Sequence, residues 1–511
     1  MRVPVTHRGH FLRHLKIGGL LLLFLLGGAL LVLVAKWPFT RDATILSLER
    51  VSSSEVQISS LRATFFPRPG YVAQNVTFTR DHTPGARPIA RIRKITCRAT
   101  WLALVTFTHR MNRMELEGVQ IYIPAHIPPP IRSDPEEKIK TAVAELVANG
   151  TVLDIAPRDE HGQAVRFEFP ELTLRNVGGN EAVGIRTLMR NPNPPGDLAL
   201  TGTFGPLMPG RVADTRIAGT YQFRHADLSS YKIVAGELSA EGRFQGSLGR
   251  AEVVGTAKIP NFEVTRSNHS LGLSAEYNAT VDGINGDVVL KSVRAHFLST
   301  TLFARGFISG RHGKTVSLDF DGQQAEVQDL LRLFVTADRP PLDGRMTLSA
   351  HVLLPPTPLP FLQKVQLEGD FSIIRAEFTT AKTQAKVNEL SARGRGRKNE
   401  LRSHEGPERV TSHWQGNVRL RDAVATISAA FFAVPGAIAR GSGTYDIATE
   451  AIDLRGKLAI QASLSTATTG VKSVLLIPVN RLFKKDGAGA VLGARIAGTY
   501  AHPLFKVSFT P

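Results

Sequence analysis

The sequence predicts a mostly β fold: an elongated, curled antiparallel sheet attached at its N-terminal end to a single transmembrane helix. Three observations carry that expectation. Apolar and polar residues alternate in short segments along most of the chain, the pattern of half-buried strands. Glycine (45) and proline (30) are dispersed between those segments over 511 residues, which marks many turns. One run, Ile17 to Ala35, holds nineteen residues without a charge. As a helix it measures about 28 Å, close to the roughly 30 Å of a bilayer's hydrocarbon core.

The flanks of that run set its orientation. Residues 1–16 form a basic segment with Arg2, Arg8, Arg13 and Lys16 and no acid, whereas Lys36, Arg41 and Asp42 follow it. The larger basic excess stays in the cytoplasm, so the body lies outside. Within the anchor, residues 17–37, Ile17, Leu20, Phe24, Leu31 and Val34 face lipid and Trp37 sits at the interface. A cleaved signal peptide has a shorter apolar part and a small-x-small cleavage site. Val34-Ala35-Lys36-Trp37 is a poor site of that kind, so the anchor is read as retained.

Composition narrows the body. Cys97 is the one cysteine, which excludes an intramolecular disulfide and any cysteine metal cluster. The net charge of +18 fits an exported surface beside anionic lipid headgroups better than one that meets nucleic acid.

In chain order, Ile45, Leu48 and Val51 predict a brief helix beyond the anchor. Strands follow at 56–58, 72–78, 89–95 and 119–123, with a turn at Phe65-Phe66-Pro67-Arg68-Pro69-Gly70. Pro124 to Pro130 reads as an extended linker. Asp134 as N-cap, Pro135, and Ile139, Val143, Leu146 and Val147 at helical spacing predict an amphipathic helix over 134–149, stopped at Gly150. That closes an N-terminal part, 38–150.

Residues 151–390 read as strand after strand, the extended groove. Glu326 to Phe334 interrupts them as a short amphipathic helix, with Val327, Leu330, Leu331 and Phe334 at helical spacing. The tripeptide Gly-x-aromatic recurs unevenly, at Gly202, Gly219, Gly242, Gly369, Gly443 and Gly498. Glycine inside a strand marks a bend, and repeated bends curve a sheet. Residues 391–409 are basic and nearly devoid of apolar side chains, so they read as a solvated loop, with contact to lipid headgroups as the functional alternative. A C-terminal region, 410–511, adds a basic amphipathic element over 466–485 and a last strand ending at Phe509.

No catalytic constellation emerges. The phosphate loop with Lys-Ser/Thr, His-Glu-x-x-His and Gly-x-Ser-x-Gly are all missing. His161, His269, His296 and His351 are scattered singly, and Asp319 and Asp321 share a strand face that reads as solvated. The expectation is a protein that is not an enzyme and binds no cofactor or metal. Roughly 20 to 25 strands with one apolar face exceed what one flat sheet carries, about ten. That face is hidden either in serial two-sheet sandwiches or in a gutter that holds lipid acyl chains, each buried methylene contributing about 0.8 kcal/mol. Periodicity leaves both open. Inward positions in the second case are Val165, Phe167, Phe169, Val316, Leu318, Phe320, Met346, Leu348, Ile452, Leu454 and Leu458.

Several stretches resemble the AsmA family. Lys36-Trp37-Pro38-Phe39-Thr40-Arg41-Asp42 and Thr64-Phe65-Phe66-Pro67-Arg68-Pro69-Gly70 look like its start. Arg190-Asn191-Pro192-Asn193-Pro194-Pro195-Gly196, Gly202-Thr203-Phe204-Gly205-Pro206 and Val281 to Asp287 look like its middle. Gly441 to Tyr445, Phe483-Lys484-Lys485 and Ile496 to Tyr500 look like its C-terminal region. The resemblance implies an inner-membrane anchor, a periplasmic body, a chorein-like N-terminal part and a curled β groove. It also implies a role in phospholipid supply to the outer membrane, with a scaffold or assembly factor affecting protein targeting to the outer membrane as the alternative. Membrane phospholipids are the expected partner, with envelope proteins besides. The chain is smaller than the longer members of that family.

Overall fold

A computed structural model describes residues 39–52, 54–79, 87–101, 110–124, 142–156, 165–178, 181–206, 211–265, 267–309, 315–397, 408–461, 491–499 and 502–508. The anchor 17–37, with Ile17, Leu20, Phe24, Leu31, Val34 and Trp37, lies outside them, as does the element at 466–485. Among the described residues no helix is long and apolar enough to cross a membrane. The fold is mostly β, with 24 strands among the described residues, within the range expected from the sequence.

The chain divides into two compact units, one of Met1–Pro192 with Asp197–Leu207, the other of Asn193–Gly196 with Met208–Pro511. The division expected at 150 falls instead inside a strand.

In the first unit helix α1 (Arg41–Ser52) precedes β1 (Glu55–Thr64), β2 (Gly70–Thr79), β3 (Ala90–Arg98) and β4 (Arg110–Ile123). Then come β5 (Ala142–Ile155), β6 (Val165–Val177), β7 (Val183–Pro192) and β8 (Pro195–Phe204). From β1 to β7 each strand pairs with its successor, all antiparallel except β4 with β5, which run parallel.

The helix expected over 134–149 is corrected here. Residues 142–149 belong to β5, whose Leu146 lies opposite Met114 of β4 and Leu174 of β6. Leu146 and Val147 are both half-buried, one on each face, and adjacent apolar residues on two faces mimic helical spacing. Residues 134–141 lie outside the described residues.

The strands of this unit share a second irregularity. In β2 the buried residues are Tyr71 and Ala73, then Val76 and Phe78, so alternation slips by one at Asn75, where φ is 51°. The same slip separates Ile92 from Ile95 in β3, Leu116 from Val119 across Gly118 (φ 65°), and Ala148 from Thr151 across Gly150 (φ 67°). The slips stack in paired strands with the register unbroken, and together they keep one face apolar. That face is covered: Phe39 and, from α1, Ile45 and Leu48 pack over Val56, Ile58, Tyr71, Val76, Ile95 and Cys97.

The second unit holds β9 (Arg216–Asp227), β10 (Val234–Ala235), β11 (Glu237–Ser247), β12 (Arg250–Val264) and β13 (Ser270–Val281). It continues with β14 (Val288–Phe297), β15 (Thr300–Ser309), β16 (Thr315–Glu326), β17 (Leu342–Leu354) and β18 (Gln366–Phe378). Last come β19 (Ser412–Arg421), β20 (Val424–Val434), β21 (Ala437–Asp446), β22 (Ala451–Ile460), β23 (Val491–Thr499) and β24 (Pro503–Ser508). β9 pairs with β11, and from there each strand pairs antiparallel with the next to β24. Among the described residues β24 has β23 as its sole neighbour, so this sheet does not close on itself.

Helices α2 (Val327–Arg332), α3 (Phe361–Lys364) and α4 (Ala381–Gly394) are inserted between strands. α2 matches the helix expected at 326–334. α4 was not expected, and its end takes in Ser391 to Gly394 of the segment read as a solvated loop. Ser391 and Ala392 are fully buried. Of that segment, residues 398–407 lie outside the described residues.

Candidate functional site

Strand register assembles one feature in the second unit that no single strand reveals. Residues directly opposite one another form a row: Tyr221, Gly242, Gly255, Tyr277, Val293, Ala304 and Phe320. The row continues through Ala350, Gly369, Val418, Ile427, Gly443, Leu454 and Ile496. It crosses fourteen strands without a charge. At the usual interstrand spacing the row extends about 60 Å along the sheet. Parallel rows are as apolar: Leu318 lies opposite Val352, which lies opposite Leu367, which lies opposite Leu420.

The opposite face carries the charge. Arg305, Asp319, His351, Glu368 and Arg419 form another row, in which each carboxylate lies between an arginine and the His351 imidazole. The Asp319 carboxylate meets His351 Nδ1 at 2.7 Å, and that hydrogen bond holds its pKa below the usual carboxylate range, with Arg305 adding to the effect. Asp319 and Asp321 therefore sit on a solvated face. His269 and His296 likewise make isolated contacts, with the Ala337 carbonyl and with Thr301. Among the described residues no group of three His, Cys, Asp or Glu side chains is placed to hold a metal ion.

The glycine motif acquires a physical meaning. In Gly242-Arg243-Phe244, Gly369-Asp370-Phe371 and Gly443-Thr444-Tyr445 the glycine and the aromatic are two residues apart and so share the apolar face. A Cβ on Gly443 would lie 2.2 Å from the Asp453 carbonyl oxygen, one on Gly242 2.3 Å from that of Val254, and one on Gly369 2.6 Å from that of Ser349. The neighbouring strand approaches too closely on the apolar side for any other residue. Glycines on that side allow close approach and curvature, and the Phe371 ring lies 3.3 Å from where a Cβ on Gly416 would stand.

Tyr221 and Tyr277 lie across Gly242 and Gly255, and their hydroxyls hydrogen-bond to each other. Burial, with the hydrogen bond to Tyr277 adding to it, pushes the Tyr221 phenol upward, so the pair stays neutral on an apolar floor.

Two helices cover one rim of this face. Val327 and Leu331 of α2 pack on Met346, Phe371, Ile373 and Trp414. Asp329 fixes α2 by accepting from Ser299 N at 3.0 Å, Ser299 Oγ at 2.7 Å and Thr300 Oγ1 at 2.9 Å. Val387 and Leu390 of α4 pack on Phe432, Leu458, Ile460 and Leu492. Gln384 clamps α4, donating to the Val410 carbonyl and accepting from Phe378 N, each at 2.8 Å. Beyond that rim Leu318, Phe320, Leu348, Val352, Val418, Ile427, Leu454 and Ile496 are only half-buried.

The positions expected from sequence therefore separate. Val316, Leu318, Phe320, Leu348, Ile452 and Leu454 share the half-exposed face of the second unit, whereas Met346 and Leu458 lie beneath α2 and α4. Val165, Phe167 and Phe169 belong to β6 of the first unit, where they lie opposite Ile155, Leu153 and Thr151. Sequence reasoning missed Phe371, Trp414, Val418, Ile427, Tyr445 and Ile496. The glycine motif was the available signal for Phe371 and Tyr445. Comparison of the chain with protein families, with curated proteins and with solved structures finds no match.

Proposed function

We propose that this chain is a non-enzymatic lipid carrier of the AsmA kind. In this reading it is anchored by residues 17–37 in the inner (cytoplasmic) membrane with its N-terminus in the cytoplasm. The periplasmic body holds phospholipid acyl chains on the way to the outer membrane. The observation that carries the reading is the fourteen-strand apolar row on a face left half-exposed beyond its helical rim. An apolar face of this size normally packs on another layer of structure, and apolar patches left open mark binding surfaces. Acyl chains suit it because they ask for area and not for directed polar groups. The resemblance to AsmA-like sequences adds the expected setting, including a chorein-like N-terminal part.

The test is lipid extraction and native mass spectrometry of the purified full-length chain. Co-purified phospholipid is expected, and Leu318→Glu/Leu348→Glu/Val418→Glu should remove it while the protein stays folded. Absence of lipid together with a stable crosslinked protein would favour the alternative, a membrane-anchored scaffold or assembly factor.

A further inference from the structure

The charged face of the second unit changes character at its C-terminal end. Over β15 to β19 each carboxylate of the row lies opposite an arginine, Asp319 opposite Arg305 and Glu368 opposite Arg419. Over β21 to β24 like charges face one another: Arg440 lies opposite Lys457, Arg455 opposite Arg495, and Arg495 opposite Lys506. Directly opposed like charges destabilise a sheet. Asp453 lies between two of them, meeting Arg455 Nη2 at 2.9 Å and Arg495 Nε at 2.9 Å. Both arginines remain 68% and 48% exposed.

The same face carries aliphatic side chains in the open. Ile438 lies opposite Ala459, and Ala459 opposite Val491, along one side of the basic rows. Leu504 flanks the other side, opposite Ala497. Ile438, Val491 and Leu504 are 41%, 38% and 59% exposed.

We propose that this outer face of β21–β24 docks on an anionic phospholipid bilayer, the cations taking headgroup phosphates and the aliphatic side chains entering the interface. The proposal goes beyond the lipid-carrying face and does not depend on it, since it concerns the opposite side of the sheet. Exposed aliphatics beside cations match a bilayer surface. A nucleic acid asks instead for aromatic stacking platforms, and Phe431 on this face is covered by Arg440, 5.6 Å from its ring.

The test uses the full-length protein held in phosphatidylcholine nanodiscs, floated with vesicles of phosphatidylcholine alone or with about 30 mol % phosphatidylglycerol. Capture at least about tenfold greater on the anionic vesicles is expected, falling as salt rises. Arg440→Gln/Lys457→Gln/Lys506→Gln should weaken it about a hundredfold, from roughly fivefold for each cation. Because that variant removes opposed like charges, its melting temperature should hold or rise. Should it fail to fold, Lys506→Gln alone, on the last strand, is expected to weaken capture about fivefold. Ile438→Ser/Leu504→Ser should weaken vesicle capture and leave binding of a single-stranded oligonucleotide unchanged. Equal capture on neutral vesicles, no effect of removing the cations, or an oligonucleotide that displaces the vesicles at equal phosphate would overturn the proposal.

Discussion

The two units solve the same problem in opposite ways. In the first, α1 and Phe39 cover the apolar face of β1–β4, and Val76, Ala73 and Cys97 have no exposed surface. In the second, α2 and α4 cover one rim, and the residues between that rim and the far ends of the strands stay half-buried. Full burial of a Leu or Phe side chain is worth about 1.5–3 kcal/mol, so the open face leaves part of that stabilisation unrealised. The difference teaches that β1–β4 bury their apolar face under a helix, whereas β6–β8 of the first unit and most of the second leave theirs half-exposed.

That contrast can be broken by mutation. A charge in the covered core should have the largest effect: Val76→Asp is expected to cost about 4 kcal/mol or more. Leu348→Glu, on the open face, should cost only about 1 kcal/mol while abolishing bound lipid. Urea unfolding of the two variants checks both numbers, and equal losses would erase the distinction between the units.

The bend of the open sheet is tested at its glycines. Gly443→Val places a Cβ 2.2 Å from the Asp453 carbonyl oxygen and is expected to cost about 2–3 kcal/mol. Gly272→Ala meets nothing nearer than the Pro260 carbonyl oxygen at 3.8 Å and should lie within about 0.5 kcal/mol of the parent. The rim is tested at Asp329, where Ala removes the acceptor of three hydrogen bonds from Ser299 and Thr300. A loss of about 2 kcal/mol is expected, with hydrogen-exchange protection falling first in α2.

The smallest effect belongs to the covered core. Burial pushes the Cys97 thiol from 9.0 up to about 12, so it should resist thiol reagents at about pH 8 until the protein is unfolded. The sign of its pH dependence follows. Stability is intact below the unfolded value of about 9 and declines as pH rises toward 12, because the unfolded thiol ionises first. Urea midpoints measured on either side of about pH 9 check it.

Much of the second unit was legible because each strand alternates on its own, as Val316, Leu318 and Phe320 do. What alternation could not supply was register, and register is what turns separate strands into one apolar row. The first unit was less legible because its slips at Asn75, Gly118 and Gly150 interrupt the period that identifies a strand, and β5 read as a helix for a related reason. α4 escaped notice because its buried side presents Gln384, Asn388, Ser391 and Gly394 with Val387, and polar and small residues leave no apolar periodicity. Tyr221 and Tyr277 are 56 residues apart, and nothing local announces their meeting.

The central claim is that one face of the second unit holds acyl chains and the other does not. A photocrosslinking residue placed in turn along β17, at 347 through 352, tests it most directly in the full-length protein with native lipid. Crosslinks to lipid are predicted at 348, 350 and 352, and none at 347, 349 and 351, since alternate residues face opposite sides. Crosslinking without that alternation, or to protein alone at the even positions, would contradict the account.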